Sequence, residues 1–312
     1  MEKNGYFLYT IQTGDTIYKL SNEFETSVQR IITANSGINI YNLNVGENII
    51  IPVGNVVDTN EYYDSQKMYD NIDSLRIIYP FIQVEEIGKS EREKPIKCIK
   101  IGTGNKEVFY NASFHANELI TTNVLMKFIE DYARAFTDNT TIYGLNAKNL
   151  YYSASLYIVP MVNPDGVDLV TGSIPIVDNA YINAQKIAES FPNIPFPQGW
   201  KANITGVDLN LQFPAGWEQA KQIKNAQGFN KPAPRDFVGY GPLTAKEALA
   251  IYNFTLRHNF RLVIAYHTQG KVIYWQFLDY NPPMAEEIGR RFANISGYTL
   301  AEVPYESSFA RI

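Results

Sequence analysis

The sequence contains few of the residues that bind metals through sulfur, and it has no long apolar run. Cys98 is the one cysteine among 312 residues, which excludes an intramolecular disulfide and a thiolate cage for a metal. Its surroundings, IKCIKI, predict a buried strand. No apolar run approaches the about 20 residues that span a bilayer, so no membrane segment is expected. The opening residues MEKNGYFLYTIQTGDTIYKL also lack the apolar stretch of a signal peptide.

Charge is balanced and dispersed along the chain. The 27 lysines and arginines and the 32 aspartates and glutamates give a net charge of −5, without a basic block. This pattern argues against nucleic acid as the main partner. Because 45% of the residues are hydrophobic, the chain can bury a large core. Its length fits one large domain with a small one, or two domains of medium size.

The first folded unit is predicted over residues 7–52. FLYTIQ is a strand candidate, and GDT forms a turn in which Asp15 caps the helix TIYKLSNEF. Thr26 is predicted to cap a second helix, SVQRIITANS, and NLNVGENIIIP supplies a turn and a closing strand. The result is a compact βααβ module. VGNVVDTNEYYD then lacks periodicity, and we place a linker at 53–61.

The pieces of this unit, YTIQTGDTIYKLSNEFETSVQRIITANS and then LNVGENIIIP, resemble a LysM domain in content and in order. The resemblance implies binding of the glycan of peptidoglycan or chitin, which contains N-acetylglucosamine. The alternative is an ordinary folded cap that has no ligand.

Residues 62–312 are predicted to form an α/β domain with a mixed β-sheet flanked by helices. Strand patterns and helix patterns alternate along this segment, as they do when helices cover the faces of a buried sheet. The strand candidates are FIQVEEIGKS, KPIKCIKIG, KEVFYNASF, ASLYIVPMVNP and RLVIAYH, and the helix candidates are SQKMYDNIDSLRIIYP, LITTNVLMKFIEDYARAF and TAKEALAIYNFTLRHN.

The motif FHANE places His115 three residues before Glu118, directly after a predicted strand. At this spacing the two side chains can hold one face of a zinc ion, or they are two unrelated polar residues on a loop. His267 ends another predicted strand, FRLVIAYH. Because sites in α/β sheets lie where strands end, the three residues match the ligand set of an open, catalytic zinc site. The remaining histidine, His258, is expected at a solvated helix end without a function.

Six signatures then occur in order: FHANE, VPMVNPDGV, WKAN, GVDLN, FVGYGPLT and AYHTQG. With them the segment from about residue 62 to 312 resembles the zinc carboxypeptidase family of metallopeptidases. The resemblance implies a hydrolase that binds Zn2+ through His115, Glu118 and His267. It also implies that Lys201, in WKAN, takes the place of an arginine that stabilises the oxyanion. A solvated surface lysine is the alternative for Lys201.

The chain departs from the family's pattern at GVDLNLQFP. The carboxypeptidases have Asn-Arg there, a pair that clamps the terminal carboxylate of the substrate. Asn210 is kept, and the resemblance implies that it binds substrate, but Leu211 replaces the arginine. Leucine cannot pair with a carboxylate. We therefore expect an enzyme that does not require a free C-terminal carboxylate in the usual pocket.

A LysM module joined to such a peptidase resembles bacterial γ-D-glutamyl-L-diamino-acid endopeptidases. These enzymes hydrolyse the bond between D-glutamate and the diamino acid in the stem peptide of peptidoglycan. The expected partner is therefore peptidoglycan, bound by its glycan at the LysM module and by its stem peptide at the zinc site. The expected location is the cytoplasm, or the cell wall or spore after release. Two alternatives stay open: a cell-wall-binding protein without catalysis, and a carboxypeptidase that acts on protein C-termini.

A further expectation concerns the general base. The family carries it as a glutamate on a strand after a Tyr…Asp-Trp segment, and GYTLAEVPYESSFARI contains no Asp-Trp. Tyr305 falls near the family's substrate-binding tyrosine, whereas nothing in the sequence marks Glu302 or Glu306 as the base. We therefore expect a sequence that is truncated at its C-terminal end and a chain with weak activity.

Overall fold

The computed structural model describes residues 5–303. The strands of this part are β1 (Tyr6–Thr10), β2 (Asn48–Pro52), β3 (Gln83–Lys89), β4 (Pro95–Ile101), β5 (Lys106–Asn111), β6 (Thr141–Ile142), β7 (Leu145–Asn146), β8 (Ala154–Val159), β9 (Leu262–Ala265), β10 (Val272–Tyr274) and β11 (Thr299–Ala301). The helices are α1 (Ile17–Glu23), α2 (Val28–Ala34), α3 (Ser65–Ile78), α4 (Ile120–Thr137), α5 (Ala147–Ser153), α6 (Pro164–Thr171), α7 (Asn179–Glu189), α8 (Trp217–Ala226), α9 (Lys246–Leu256) and α10 (Ala285–Ser296), with a short 3-10 helix at Leu209–Leu211.

A five-stranded mixed sheet forms the centre of the larger part of the chain, which confirms the predicted fold class. The strand order is β3-β4-β8-β5-β9; β4 lies antiparallel to β3 and β8, whereas β5 lies parallel to β8 and β9. Ile101 and Ile158 pack under α3 and α4 on one face, and Cys98 and Phe109 pack under α9 on the other. Because β5 and β9 are parallel neighbours, the loops that follow them leave the sheet side by side.

The first unit has the predicted order of strand, helix, helix and strand. β1 and β2 pair antiparallel, and a core of its own is buried around Leu20, Ile31 and Ile51. Among residues 5–303, no helix combines the length and the apolar character needed to cross a membrane.

Both predicted helix caps of this unit are wrong by one residue. Thr16 caps α1, and Ser27 caps α2, each by accepting a hydrogen bond from a main-chain N–H of the first turn. Asp15 accepts instead from Gln12 N at 2.7 Å and from the hydroxyl of Tyr9 at 2.9 Å, so its carboxylate closes the preceding turn. The carboxylate is therefore committed before the helix begins, and the next hydroxyl supplies the cap.

The segment after β2, predicted as a linker, is bound to the larger part of the chain. Glu130, on α4, is fully buried and accepts hydrogen bonds from Val56 N at 2.7 Å and from Val57 N at 3.2 Å. Arg134, one turn further along α4, donates to Gly54 O at 2.9 Å. The bonds to Glu130 satisfy two main-chain N–H groups that would otherwise be buried without partners, and all three bonds fix the path of the connecting segment.

Candidate metal centre

The loop after β5 carries the first two candidate ligands. His115 Nδ1 lies 3.1 Å from Glu118 Oε1, and Glu118 N donates to His115 O at 3.2 Å, which closes the turn between them. Thr121 Oγ1 holds the other side of the turn by donating to Glu118 O at 2.6 Å. Glu118 is only 1% exposed. The predicted pair therefore shares one face and is held by its own main chain.

The third candidate ligand reaches the same place from the neighbouring strand. β9 pairs with β5 so that Ala265 lies opposite Asn111, and the chain that continues from β9 brings His267 Nδ1 to 2.9 Å from Glu118 Oε2. The ligand atoms of His115, Glu118 and His267 all lie within 4.8 Å of one another and could hold a metal ion. Both histidines present the same nitrogen, Nδ1, to the carboxylate.

A fourth residue of the centre, Asp208, is not among the sequence predictions. Its Oδ1 lies 3.2 Å from His115 Nε2, on the side of the ring that faces away from Glu118. Asp208 is 4% exposed, and its Oδ2 accepts from Asp236 N at 3.0 Å. A carboxylate behind a histidine fixes the tautomer that donates from Nε2 and leaves the Nδ1 lone pair for a metal. The signal for it in the sequence was only the Asp of GVDLN.

The interactions in the centre favour the ionised form of its carboxylates. Burial alone raises the pKa of Glu118, but the hydrogen bonds from His115 and His267 outweigh it and hold that pKa well below its usual range. Burial lowers the pKa of His115, yet the charge of Asp208 and the bonds to both carboxylates raise it to about 9. The two acids therefore make the site attractive to a cation.

Lys201 lies beside the three candidate ligands and is not a surface residue. Its Nζ lies 3.0 Å from Glu118 Oε1, and only 10% of its side chain is exposed. Its main chain is held as well, because Ala116 N donates to Lys201 O at 3.1 Å and Lys201 N donates to Pro234 O at 2.7 Å. This geometry disfavours the solvated-lysine alternative and places one fixed positive charge at the site.

The neighbouring positions Asn210 and Leu211 have different surroundings. Asn210 is buried, and its N donates to Asp208 Oδ1 at 3.2 Å, so its main chain lies next to the centre. Leu211 is 3% exposed and packs against Trp217 and Val238 in a small apolar cluster. Its side chain is therefore part of a core.

Four other residues named from the sequence lie elsewhere or cannot be placed. Tyr305 and Glu306 fall outside residues 5–303. Glu302 is exposed just after β11 and does not join the candidate ligands. His258 follows the end of α9, as expected, but it is not solvated: its ring stacks on Phe260 with centroids 4.8 Å apart, and 17% of its side chain is exposed. Tyr157 and Phe254 also lie against the ring, so this is a half-buried packing position.

Asn163 organises the loops of the centre, although the sequence placed it only at the end of the strand candidate ASLYIVPMVNP. It is fully buried, and its Nδ2 donates to Phe114 O at 3.2 Å and to Ala202 O at 3.0 Å. These acceptors precede His115 and follow Lys201. A glycine is required nearby, since a Cβ on Gly166 would lie 2.8 Å from the Cβ of Ala116. The Asn163 amide thus connects the loop that carries His115 to the loop that carries Lys201.

A second buried network supports the loop that carries Lys201, which we call the lysine loop. Asn203 Oδ1 accepts from Val207 N at 3.0 Å, which closes the turn after Lys201. Its Nδ2 donates to Glu247 Oε2 at 3.2 Å, and Glu91 N donates to Glu247 Oε1 at 3.0 Å. Glu247 is fully buried on α9. Burial raises its pKa to about 7, with the charge of Glu91 acting in the same direction.

We expect Glu247 to make stability fall with rising pH. The folded pKa is about 7 against an ordinary value of 4.5, so the folded chain binds more protons between these values. Its stabilising contribution is complete below pH 4.5 and is lost as the pH rises to about 7. The loss is about 3 kcal/mol.

The measurement is the free energy of unfolding of the parent and of Glu247→Gln from pH 4 to 8. The difference between the two proteins should change across this window in favour of the variant at high pH. Glu189→Gln, at an exposed helix end, is the control and should differ from the parent by a constant amount. A constant difference for Glu247→Gln as well would contradict the prediction.

Two family models match the chain. The model for zinc carboxypeptidase matches residues 68–309, and the model for the LysM domain matches residues 9–52. Gamma-D-glutamyl-L-diamino acid endopeptidase 1 of Lysinibacillus sphaericus is 46% identical over 243 residues, which cover 78% of this chain and 60% of the relative. Uncharacterized protein YqgT of Bacillus subtilis (strain 168) is 37% identical over 243 residues, 77% of this chain and 63% of the relative.

Among solved structures, the chain is similar to bovine thrombin-activatable fibrinolysis inhibitor in complex with tick carboxypeptidase inhibitor. The TM-score is 0.59 at 20% identity, over 81% of this chain and 80% of that one. A likeness at this identity supports the fold alone. The chain spans about 60% of the length of the curated relatives that it matches.

Proposed function

Because the chain belongs to the zinc carboxypeptidase family, we propose that it is a zinc peptidase of the cell wall. Its substrate is the γ-D-glutamyl-diamino acid bond in the stem peptide of peptidoglycan, and its LysM module binds the glycan. The observation that carries the catalytic part is the convergence of two imidazoles and one carboxylate at the ends of β5 and β9. The bond follows from the 46% identical relative, whose name gives that activity.

The donor set suits zinc. His115 and His267 offer Nδ1 and Glu118 offers an oxygen, which is the nitrogen-and-carboxylate set of catalytic zinc sites that keep one position open. Asp208 behind His115 supplies the outer hydrogen bond that such a histidine usually makes. In this proposal the three residues are the ligands, and Asp208 orients the first of them.

When bound, zinc supplies Lewis acidity and an activated water for hydrolysis. The scissile C–N bond breaks, the γ-carbonyl carbon gains the oxygen of water, and the diamino acid leaves with a free amine. Lys201 places its ammonium beside Glu118, where it can stabilise negative charge on the carbonyl oxygen. Asn210 lies next to the same centre and is proposed to bind substrate, as is Tyr305.

The packing of Leu211 favours this bond over the C-terminus of an ordinary peptide. Its side chain is enclosed in an apolar cluster with Trp217 and Val238, so no cation stands at this position to hold a terminal carboxylate. The LysM module adds affinity in a different way. Binding of the glycan raises the local concentration of stem peptides without a new contact at the zinc site.

The test is incubation of the zinc-loaded chain with soluble muropeptides and with a plain peptide that has a free C-terminus. Mass spectrometry should find stem peptides cut between D-glutamate and the diamino acid, and the plain peptide intact. His115→Ala is the control and should cut neither. Cleavage of the plain peptide alone would contradict the proposal. Binding to insoluble cell wall without any cleavage would instead favour a wall-binding protein.

Asp208→Asn is expected to weaken zinc binding roughly 10- to 100-fold. The asparagine can keep an acceptor toward Asp236 N, but it no longer offers a charged acceptor to His115 Nε2, so the ring loses its fixed tautomer. The measurement is the Kd for zinc from competition with a chromophoric chelator. Asp73→Asn, on an exposed side chain, is the matched control. Unchanged affinity in Asp208→Asn would show that Asp208 does not support the metal.

A further inference from the structure

The segment around Arg235 is bonded to two parts of the candidate centre. The carbonyl of Pro234 accepts from Lys201 N at 2.7 Å, and Asp236 N donates to Asp208 Oδ2 at 3.0 Å. Consecutive Cα atoms are about 3.8 Å apart, so Arg235 is fixed between a contact to the lysine loop and a contact to the carboxylate behind His115. The main chain of Arg235 therefore lies beside the centre.

The conformation of this segment is unusual and well supported. Asp236 has a φ of 67°, a left-handed conformation that is uncommon for a residue other than glycine and that costs free energy unless the surroundings hold it. Gln212 holds the segment that follows, since its Oε1 accepts from Ala245 N at 2.9 Å and its Nε2 donates to Gly241 O at 3.0 Å. The segment that carries Arg235 is therefore held in one conformation by its hydrogen bonds.

Asp236 also orients the arginine. Its Oδ2 accepts from Arg235 Nε at 2.6 Å, and its Oδ1 accepts from Lys224 Nζ at 2.6 Å. The two cations and the one carboxylate together carry a formal charge of +1. Because Asp236 engages Nε, the two terminal nitrogens of the guanidinium keep the fork that matches a carboxylate.

The side chain of Arg235 is more exposed than the side chains of the other cations around the centre. Its side chain is 42% exposed, against 13% for Lys224 and 10% for Lys201. Lys201 already faces Glu118, and Lys224 lies behind Asp236. Arg235 is therefore the cation of this group that presents its donors to solvent.

We propose that Arg235 binds a carboxylate of the substrate and so determines specificity. The inference rests on the proposed function: a γ-linked D-glutamate keeps its α-carboxylate free, and the diamino acid carries carboxylates of its own. An internal peptide bond between neutral α-amino acids has no such anion beside it. Arg235 thus supplies, from a different segment, the carboxylate recognition that Leu211 cannot provide.

The test uses stem peptides of the form L-Ala-γ-D-Glu-diamino acid whose scissile amide is reduced to CH2–NH, so that none is cleaved. One peptide has all its carboxylates, one has the D-glutamate α-carboxyl amidated, and one has the diamino acid carboxyls amidated. Kd is measured by calorimetry with the zinc-loaded full chain. Arg235→Gln should weaken binding of the first peptide roughly 10- to 100-fold, and Arg235→Lys should weaken it less.

One amidated peptide should bind the parent weakly and be insensitive to Arg235→Gln, which identifies the carboxylate. Arg290→Gln, on an exposed arginine of α10, is the matched control and should leave all three affinities unchanged. Equal losses on all three peptides, or no loss on any, would overturn the inference while the proposed function stands. If the parent bound none of the stem peptides, the proposed function would be wrong, and the inference would fall with it.

Discussion

Glu118→Gln is expected to weaken zinc binding roughly 10²- to 10³-fold and to abolish hydrolysis. Glu118 is the centre of the ligand group, with one oxygen 3.1 Å from His115 Nδ1 and the other 2.9 Å from His267 Nδ1. An amide of the same shape has no charge, and its NH2 group would face one of the two nitrogens. The Kd for zinc, from chelator competition, and the rate of stem-peptide cleavage measure the effect.

The same substitution removes the partner of a buried cation, so folding must be separated from metal binding. Lys201 is mostly buried against Glu118, and an unpaired buried charge costs on the order of 3 kcal/mol. The double variant Glu118→Gln/Lys201→Met should recover stability to urea but not zinc affinity. Glu302→Gln, at an exposed glutamate, should leave both unchanged. Zinc binding of parental strength in the double variant would refute the ligand assignment.

The parts of this protein that could be predicted from sequence are those with a local cause. Cys98 and Phe109 lie in short strand patterns, PIKCIKI and KEVFYN, whose buried residues face the core of a sheet. His115 and Glu118 are three residues apart, and a single turn decides their geometry. His267 was predictable from its place at a strand end, because parallel strands deliver their loops to one edge.

Contacts between distant segments could not be predicted in the same way. Asp208 meets His115 across 93 residues, and Asn203 meets Glu247 across 44. Nothing in the sequence near any of these residues distinguishes a buried partner from a surface one. The role of Arg235 depends on hydrogen bonds that its two neighbours make. No sequence motif indicates these bonds.

Two smaller errors in the predictions from sequence also have a physical cause. Asp15 and Thr16 are both good capping residues, and the sequence does not reveal that Asp15 is already used by Gln12 N. His258 looked solvated at the end of a helix, yet a return of the chain places Phe260 against its ring. Both errors arise where a residue a few positions away occupies the side chain that the pattern assigned to another role.

Lys201→Met is expected to lower kcat on stem peptides roughly 10²- to 10³-fold, while zinc affinity is retained or increased. The ammonium lies 3.0 Å from Glu118 Oε1, close to the place where a carbonyl oxygen would gain charge. It also lies close to the metal position, where one positive charge repels another. Removal of the ammonium should therefore act in opposite directions on turnover and on metal binding.

This opposition distinguishes a catalytic cation from a structural one. If Lys201 only supported the fold, its substitution by methionine would lower zinc affinity, kcat and the free energy of unfolding together. Lys201→Arg is the matched variant, because it keeps the charge and adds a planar fork, and it should retain more of the parental kcat than Lys201→Met. If Lys201→Met cleaved stem peptides at the parental rate, the oxyanion role would be wrong, and the ammonium would serve only to neutralise Glu118 in the folded chain.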